Sequence, residues 1–571
     1  MPPSSTFARL LTTLQRPAFT VALLLGVMLL AAGLRLTDLD SNPPGLWQDE
    51  ASTGLDAYLI WTTGQDRAGD AMPLISRSFG DYPLAGYRYL VAPIVGTLGL
   101  TIGHQRWVAA FFGLWMVLAT YWAARQRLGP GPALGAALSG ALAPTWLHFS
   151  RYGSEAILLP ACLVTGWALI DFGRRPERRW GIWLGAVALG CSAYTYHAVK
   201  VFLPLWMLGF LIFQWPRIRG LWKHEKHHLI GPALLFTVLV LPSMQAALTL
   251  GGMARGRTVL AWYQFEGIAL FRTIASNYLS YFDPSMLFVR GGPAVAQSIP
   301  GLGMWNMLEL PLMLVGLSTL FRDPGRRRTA GFIIFWFLIG PLPGGLTYEA
   351  QNMGRAIAWL PAPQLISGWG LWVLMRWALR PLTSEVALHR RVIGGLTIGL
   401  TCVAWGVTIY AVYWCTLVRY PLVTERDWQF EITRAMHCAL DKRKDERLIV
   451  SPRFHVASVF ARFHFADADK RAGKKIWQLG DRTKVRRGEI YLLPTRARLP
   501  DGVELCRVVH GPTQKVYAYV FGARPEPKAP VPVGGAKLKA SSTFAKPKLD
   551  LRRLAVPPAG PPPKLGTAPS E

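Results

Sequence analysis

The chain has 571 residues, of which 51% are apolar and only 17% charged, with a mean hydropathy of +0.24. About a quarter of a soluble protein is charged, so these values exclude an ordinary soluble globule and point to a membrane protein. The net charge is +29, but the basic residues lie in short loops and a tail, no RNA- or DNA-binding motif is visible, and nucleic acid is not an expected partner.

Residues 1–16 carry Arg9 and Arg16 and are assigned to the cytoplasm. The first apolar run, "AFTVALLLGVMLLAAGL" (18–34), is close to the ~20 residues that cross a bilayer. No small-residue cleavage site follows it, so it reads as an uncleaved first span. The segment 37–106 follows and contains, from Asn42, "NPPGLWQDEASTGLDAY", in which Asp49 and Glu50 stand side by side. Basic clusters then recur: "RQR" (125–127), "RRPERR" (174–179), "RIRGLWKHEKHH" (217–228), "RDPGRRR" (322–328) and Arg376 to Arg391. The positive-inside rule places all of them in the cytoplasm. An even number of spans must then precede residue 125, so the run 84–103, which carries Arg88, two tyrosines and a proline, is expected to lie along or dip into the outer interface rather than cross.

The expected spans are 17–36, 107–124, 133–149, 156–172, 180–197, 201–215, 229–249, 305–321, 330–346, 357–376 and 392–416. After these spans, 420–522 reads as a small α/β domain on the outer side. "DWQFEITRAMHCALDKR" and "VASVFARFHFADA" have helical spacing, "RLIVS" and "GEIYLLP" read as strands, and "ELCRVVHGPTQKVYAYVFG" reads as a hairpin around "GPTQ". Residues 523–571 are rich in Pro, Lys, Ala and Ser, with few large apolar residues, and are expected to be disordered. The expected fold is therefore mainly α: a polytopic helical membrane domain of about eleven spans with a small extracytoplasmic α/β domain. Cys162, Cys191, Cys402 and Cys415 fall in apolar runs. Cys438 and Cys506 fall in the outer domain, where a bridge and two buried thiols are both open.

The segments left outside collect the unusual polar groups: Asp49, Glu50 and Asp81 in 37–106, Arg151 in "HFSRYGSEA", Tyr194, Tyr196, His197 and Lys200 in "YTYHAVK", and Arg355 in "GGLTYEAQNMGR". Each has a bland alternative. Asp is a good N-cap and Glu suits a first turn, for a helix starting at "EASTGLDAYLIW". Asp81 before Pro83 suits a turn. The cations can snorkel to headgroups, the tyrosines can form an interfacial belt, and His148 can be a packed span-end residue.

A first span followed by an outer loop with "DE" resembles the GT-C glycosyltransferases, and in particular the protein O-mannosyltransferase and aminoarabinose-transferase group, glycosyltransferase family 39. "GDYPLAGY" (80–87), "HFSRYGSEAILL" (148–159), "YTYHAVKVFLPL" (194–205), "NYLSYFDPSMLFVRGG" (277–292) and "PLPGGLTYEAQNMGRAIAWLP" (341–361) resemble segments of that group in order, over about 30–420. The chain departs from the pattern in having a single Pro after Asp81 where relatives often have two. The resemblance implies inverting transfer of a sugar from a polyprenyl-phosphate donor to an acceptor hydroxyl on protein, glycolipid or cell-wall glycan. It implies no cofactor and no metal, and an inner membrane with the site facing the periplasm or exterior. A carboxylate that deprotonates the acceptor and cations that stabilise the leaving phosphate satisfy that chemistry. Asp49 is the expected base. Glu50 is expected to orient the acceptor, bind the sugar or shape the loop, with Asp81 a second acid. Lys200, Arg355 and Arg151 are expected at the donor phosphate, and Tyr194, Tyr196 and His197 in the pocket. A transporter or lipid flippase is the competing class, but no internal repeat or mid-span acid pattern is visible.

Overall fold

A computed structural model describes residues 17–383, 388–442, 447–452, 456–472, 475–480, 489–494, 503–510 and 516–523. The expected N-terminal segment 1–16, the tail beyond Ala523 and the "GPTQ" turn lie outside the described residues. A helix stands at each of the eleven places expected to span. They are α1 (Pro17–Leu36), α4 (Ile102–Arg127), α5 (Pro130–Leu142) continued by α6 (Pro144–Phe149), α7 (Leu158–Phe172), α8 (Trp180–Ser192), α9 (Val199–His224), α10 (His227–Leu248), α13 (Glu309–Leu320), α14 (Arg327–Ile339), α15 (Ala362–Leu379) and α16 (Leu388–Tyr413). Among the described residues six stretches are long and apolar enough to cross a membrane: α1, α4, Glu155–Phe172, α9, α10 and Leu388–Val423. The other expected spans are shorter, broken or, like the 18-residue α15, less apolar helices. The last stretch runs on to Val423.

Between α1 and α4 lie α2 (Gln48–Thr63) and α3 (Gly86–Leu98). At 13 residues, α3 is about 20 Å long, too short for a hydrocarbon core of about 30 Å. Its Arg88 is not an interfacial anchor but is buried, with Nε 3.2 Å from Asp56 on α2, and Asp56 also accepts from Arg67 Nε at 2.7 Å. This pairing draws the first outer segment onto α2. The segment 250–304, which lies between two expected spans, contains α11 (Leu250–Val259) and α12 (Gly267–Ser280).

The α5–α6 break shows how backbone groups are satisfied inside the bundle. Pro144 has no N–H to return to the helix, and the Thr145 N–H instead donates to the Met304 carbonyl. The carbonyls of Gly140 and Ala141 accept from the buried Arg35 guanidinium of α1, at 3.1 and 2.8 Å. An arginine within a span is thus used as a donor to carbonyls that would otherwise be orphaned.

The C-terminal part contains α17 (Phe430–Lys442), α18 (Ala457–Ala472) and a five-stranded sheet in the order β2-β1-β3-β5-β4. The strands are β1 (Arg447–Val450), β2 (Trp477–Leu479), β3 (Glu489–Pro494), β4 (Val503–His510) and β5 (Val516–Ala523). The β1 strand runs parallel to β2 and β3, while β5 is antiparallel to β3 and β4. Both helices and four strands follow the sequence expectation; the three-residue β2 is too short to show a period. This part packs against the membrane part. A Cβ on Gly54 of α2 would lie 2.3 Å from Gln105 Oε1 and 2.7 Å from the Phe463 ring of α18. Cys438 is a buried free thiol, and the Cys506 side chain lies outside the described residues.

The helices α4, α7 and α9 each run from the end that bears α2 to the far end of the bundle. Cysteines placed singly at Gln65 and at Glu177 will therefore react with an impermeant thiol reagent from opposite sides of the membrane. Labelling of both from one side would contradict this arrangement.

Candidate active site

Glu50 is the third residue of α2, and the helix begins at Gln48 with Trp47 as its N-cap. Asp49 therefore lies inside the first turn and is not the N-cap. The Glu50 carboxylate is buried and fully used. Its Oε1 accepts from Arg106 Nε at 2.8 Å and from the Gly153 N–H at 2.7 Å. Its Oε2 accepts from Arg106 Nη2 at 2.9 Å and from the Trp47 N–H at 3.1 Å. The remaining Arg106 donors reach the carbonyls of Leu39, Pro43 and Gly45 at 2.8–2.9 Å. All five guanidinium N–H groups are thereby engaged. Of the three roles open to Glu50 on sequence, shaping the loop is the one this geometry supports.

Asp49, one residue earlier, is exposed where Glu50 is buried. It is exposed into a cavity of about 500 Å³, and its Oδ2 accepts from Trp47 Nε1 at 3.3 Å. The cavity is lined by four carboxylates, Asp49, Glu50, Asp81 and Glu155, and by His197, Lys200 and Arg355. Trp47, Phe149, Tyr152, Tyr196 and Trp428 supply aromatic walls, and Met253, Val259 and Leu260 from the α11 region close an apolar side. Asp81 sits in a tight turn, exchanging backbone hydrogen bonds with Ser78 at 2.8 Å. Its Oδ1 lies 3.6 Å from His197 Nε2 and accepts from the Tyr82 N–H at 2.8 Å. The turn role and a place in the cavity thus coexist. Arg355 donates through Nη1 to Thr347 Oγ1 and through Nη2 to Glu349 Oε2, both at 2.9 Å. Burial raises the Tyr152 phenol well above its usual value, so it remains a neutral hydrogen-bonding group.

Two expected residues are elsewhere. Arg151 is not among the residues lining the cavity. It is buried, and its guanidinium donates to the carbonyls of Leu34, Thr37 and Asn42 at 2.5, 2.7 and 2.9 Å, so it ties α1 to the first outer segment. Tyr194 is also absent from the lining: its hydroxyl donates to the Leu239 carbonyl at 2.6 Å, and its own carbonyl accepts from the Gly86 N–H at 3.1 Å. His148 is a packed residue, with Nε2 3.0 Å from the Ala296 carbonyl. Among the lining residues not anticipated are Glu155 and Trp428. Glu155 lies within the quoted "HFSRYGSEAILL", where a carboxylate at the mouth of a span was the available signal. Trp428 comes from the segment leading into the C-terminal domain, and nothing in its local sequence marks it. Among the described residues no three of His, Cys, Asp and Glu come together as metal ligands.

A family model described as dolichyl-phosphate-mannose-protein mannosyltransferase matches residues 88–244. The structure resembles that of ArnT from Cupriavidus metallidurans in the apo state, at 15% identity and a TM-score of 0.51, over 88% of this chain and 97% of that one. The chain has the fold of that enzyme, the GT-C fold. It also resembles the oligosaccharyltransferase of Archaeoglobus fulgidus tethered to an acceptor peptide, at 11% identity and a TM-score of 0.50, over 80% of this chain and 63% of that one. The Cupriavidus ArnT bound to undecaprenyl phosphate matches at 13% identity and a TM-score of 0.47. No curated protein matches the chain. The family match covers Glu155, Tyr196, His197 and Lys200 but stops short of Asp49 on one side and Arg355 on the other.

The two adjacent acids of this site should differ sharply on substitution. Removing one partner of a buried ion pair costs about 3–5 kcal/mol, so Glu50→Ala will unfold or markedly destabilise the protein. Asp49→Asn, on an exposed side chain, will leave the melting temperature within a few degrees of wild type. Melting of both variants in one detergent checks this, and an unperturbed Glu50→Ala would contradict the bracing role.

Proposed function

We propose that the chain transfers a sugar from a polyprenyl-phosphate donor to an acceptor hydroxyl, with inversion, on the extracytoplasmic side of a bacterial inner or plasma membrane. The observation that carries the proposal is the shared cavity: Asp49 stands on one wall, and Lys200 and Arg355 on others. These are the two kinds of group the reaction needs. Asp49 accepts the proton of the acceptor hydroxyl as its oxygen attacks the anomeric carbon. The bond from that carbon to the phosphate oxygen breaks, and its electron pair leaves with the polyprenyl phosphate. Lys200 and Arg355 stabilise the charge that grows on this phosphate. The leaving group departs as an anion, so no strong general acid is required, and a single displacement inverts the centre.

Arg355 already holds Glu349, but the Glu349 side chain is 51% exposed. An ion pair this open to water contributes little, so a donor phosphate can replace it. The apolar side near Met253 and Leu260 suits the first isoprene units, and the aromatic walls suit sugar faces. Asp81 and His197 are placed to contact the sugar. The acceptor class stays as broad as a protein hydroxyl, a glycolipid or a cell-wall glycan.

Asp49→Asn should lower the transfer rate by about 10²-fold or more while leaving donor affinity intact. Lys200→Ala and Arg355→Ala should each weaken donor use by roughly 10- to 100-fold and leave the acceptor KM nearly unchanged. Donor and acceptor saturation curves with a radiolabelled polyprenyl-phosphate sugar separate these effects. Near wild-type transfer by Asp49→Asn, or unchanged donor parameters in both alanine variants, would remove those residues from the mechanism.

A further inference from the structure

Three helices connect the cavity to a second charged centre. Along α4, Arg106 stands at the cavity end and Arg127 at the other, about 32 Å away at 1.5 Å per residue. Along α9, Lys200 lies at the cavity and Arg217 about 26 Å beyond. The third helix, α7, starts just after Glu155 and reaches Asp171 near its end. These separations are close to one hydrocarbon thickness of about 30 Å, so the second centre lies at the opposite membrane surface.

There a single buried carboxylate serves three guanidinium groups. Asp171 takes a bidentate pair from Arg127, with Arg217 Nη1 at 3.4 Å and Arg174 Nε at 3.6 Å. Arg217 Nη2 also donates to the Ile170 carbonyl at 2.8 Å. The neighbouring Arg179 does not add to the imbalance, because it is bidentate to Glu225 at 2.7 and 2.9 Å. The Arg178 guanidinium lies 4.6 Å from the Phe172 ring centroid. The three-to-one ratio leaves surplus positive charge, and Asp171 has no exposure left to accept more donors. Exposure rises from 8% for the Arg127 side chain to 18% for Arg217 and 44% for Arg174, so the surplus faces outward through Arg174.

The surroundings indicate what kind of anion meets it. Trp180 and Trp222, on the helices that flank the cluster, are exposed, as are tryptophans that sit at headgroup depth. Leu211 and Ile212 on α9, just before Arg217, are exposed apolar residues of a lipid-facing surface. A guanidinium at this depth meets a phosphodiester more often than a soluble ion, and its planar fork matches phosphate oxygens.

We propose that Arg174, with Arg217 and Arg127 behind it, binds the headgroup phosphate of an anionic phospholipid at the membrane surface opposite the active site. The full-length protein, purified in detergent, would be exposed to equal amounts of phosphatidylglycerol and phosphatidylcholine, and bound lipid counted by native mass spectrometry. Wild type should retain phosphatidylglycerol preferentially. Arg174→Gln, a half-exposed position that tolerates the change, should retain about fivefold less of it, with phosphatidylcholine unaffected. Arg390→Gln, in a different basic loop, should leave retention unchanged. Inorganic phosphate at the same concentration should not displace the lipid. Equal retention by wild type and Arg174→Gln, equal loss in Arg390→Gln, or displacement by inorganic phosphate would each overturn the proposal. The first would place the lipid elsewhere, the second would reduce the effect to net charge, and the third would make the occupant a soluble anion.

Discussion

The Glu50 carboxylate and the Arg106 guanidinium lock together with no donor or acceptor left over, and the walls of the cavity are set from that pair. Arg106 gathers the carbonyls of Leu39, Pro43 and Gly45, which fixes the path of the chain between α1 and α2. Glu50 pins the start of α2 and the Gly153 N–H of the turn before α7. Burying two charges is expensive unless each lone pair and proton is satisfied, and here they are. The consequence for chemistry is a division of labour between neighbours. One acid is consumed in holding the loop, and this leaves the adjacent Asp49 aimed into the cavity at a fixed place.

The same logic recurs along the bundle. Arg35 satisfies carbonyls exposed by the Pro144 break, Arg151 ties a carbonyl of α1 to two of the first outer segment, and Arg88 and Arg67 share Asp56. Buried arginines in this protein act mainly as multidentate clamps on irregular backbone. Polar residues inside a membrane protein are often read as functional. In this chain the functional candidates are instead those whose charged ends reach the cavity, such as Lys200 and Arg355. Close helix approach does the rest: a Cβ on Gly135 of α5 would come within 2.9 Å of the Gly368 backbone of α15, the small-residue contact by which membrane helices pack without a hydrophobic driving force between them.

Much of the architecture was legible because apolar length and basic loops are strong signals. Helices stand where eleven runs were marked, and the α/β character of the C-terminal part followed from its change of period. Span number was harder, since several runs form helices too short or too broken to qualify by length, and Pro144 and the "PLPGG" stretch show where the breaks fall. Within the site, "QDE", "GDYP", "YTYHAVK" and "NMGR" each contribute a residue to one cavity. Arg151 and Tyr194 could not be separated from that set on sequence, because a turn at a span end does not reveal which way its side chains point. Trp428 was invisible for a different reason. It reaches the cavity only through the packing of the C-terminal part, a contact between segments hundreds of residues apart.

The proposed transfer requires a donor phosphate to meet Lys200 and Arg355 in the cavity that Asp49 faces. A cryo-electron-microscopy structure of the protein with undecaprenyl phosphate would test this most directly. The phosphate should lie about 3 Å from Lys200 Nζ and an Arg355 guanidinium nitrogen, with the Arg355–Glu349 pair opened and the lipid chain leaving past the α11 wall. A phosphate seated away from both cations, with Arg355 still paired to Glu349, would contradict it.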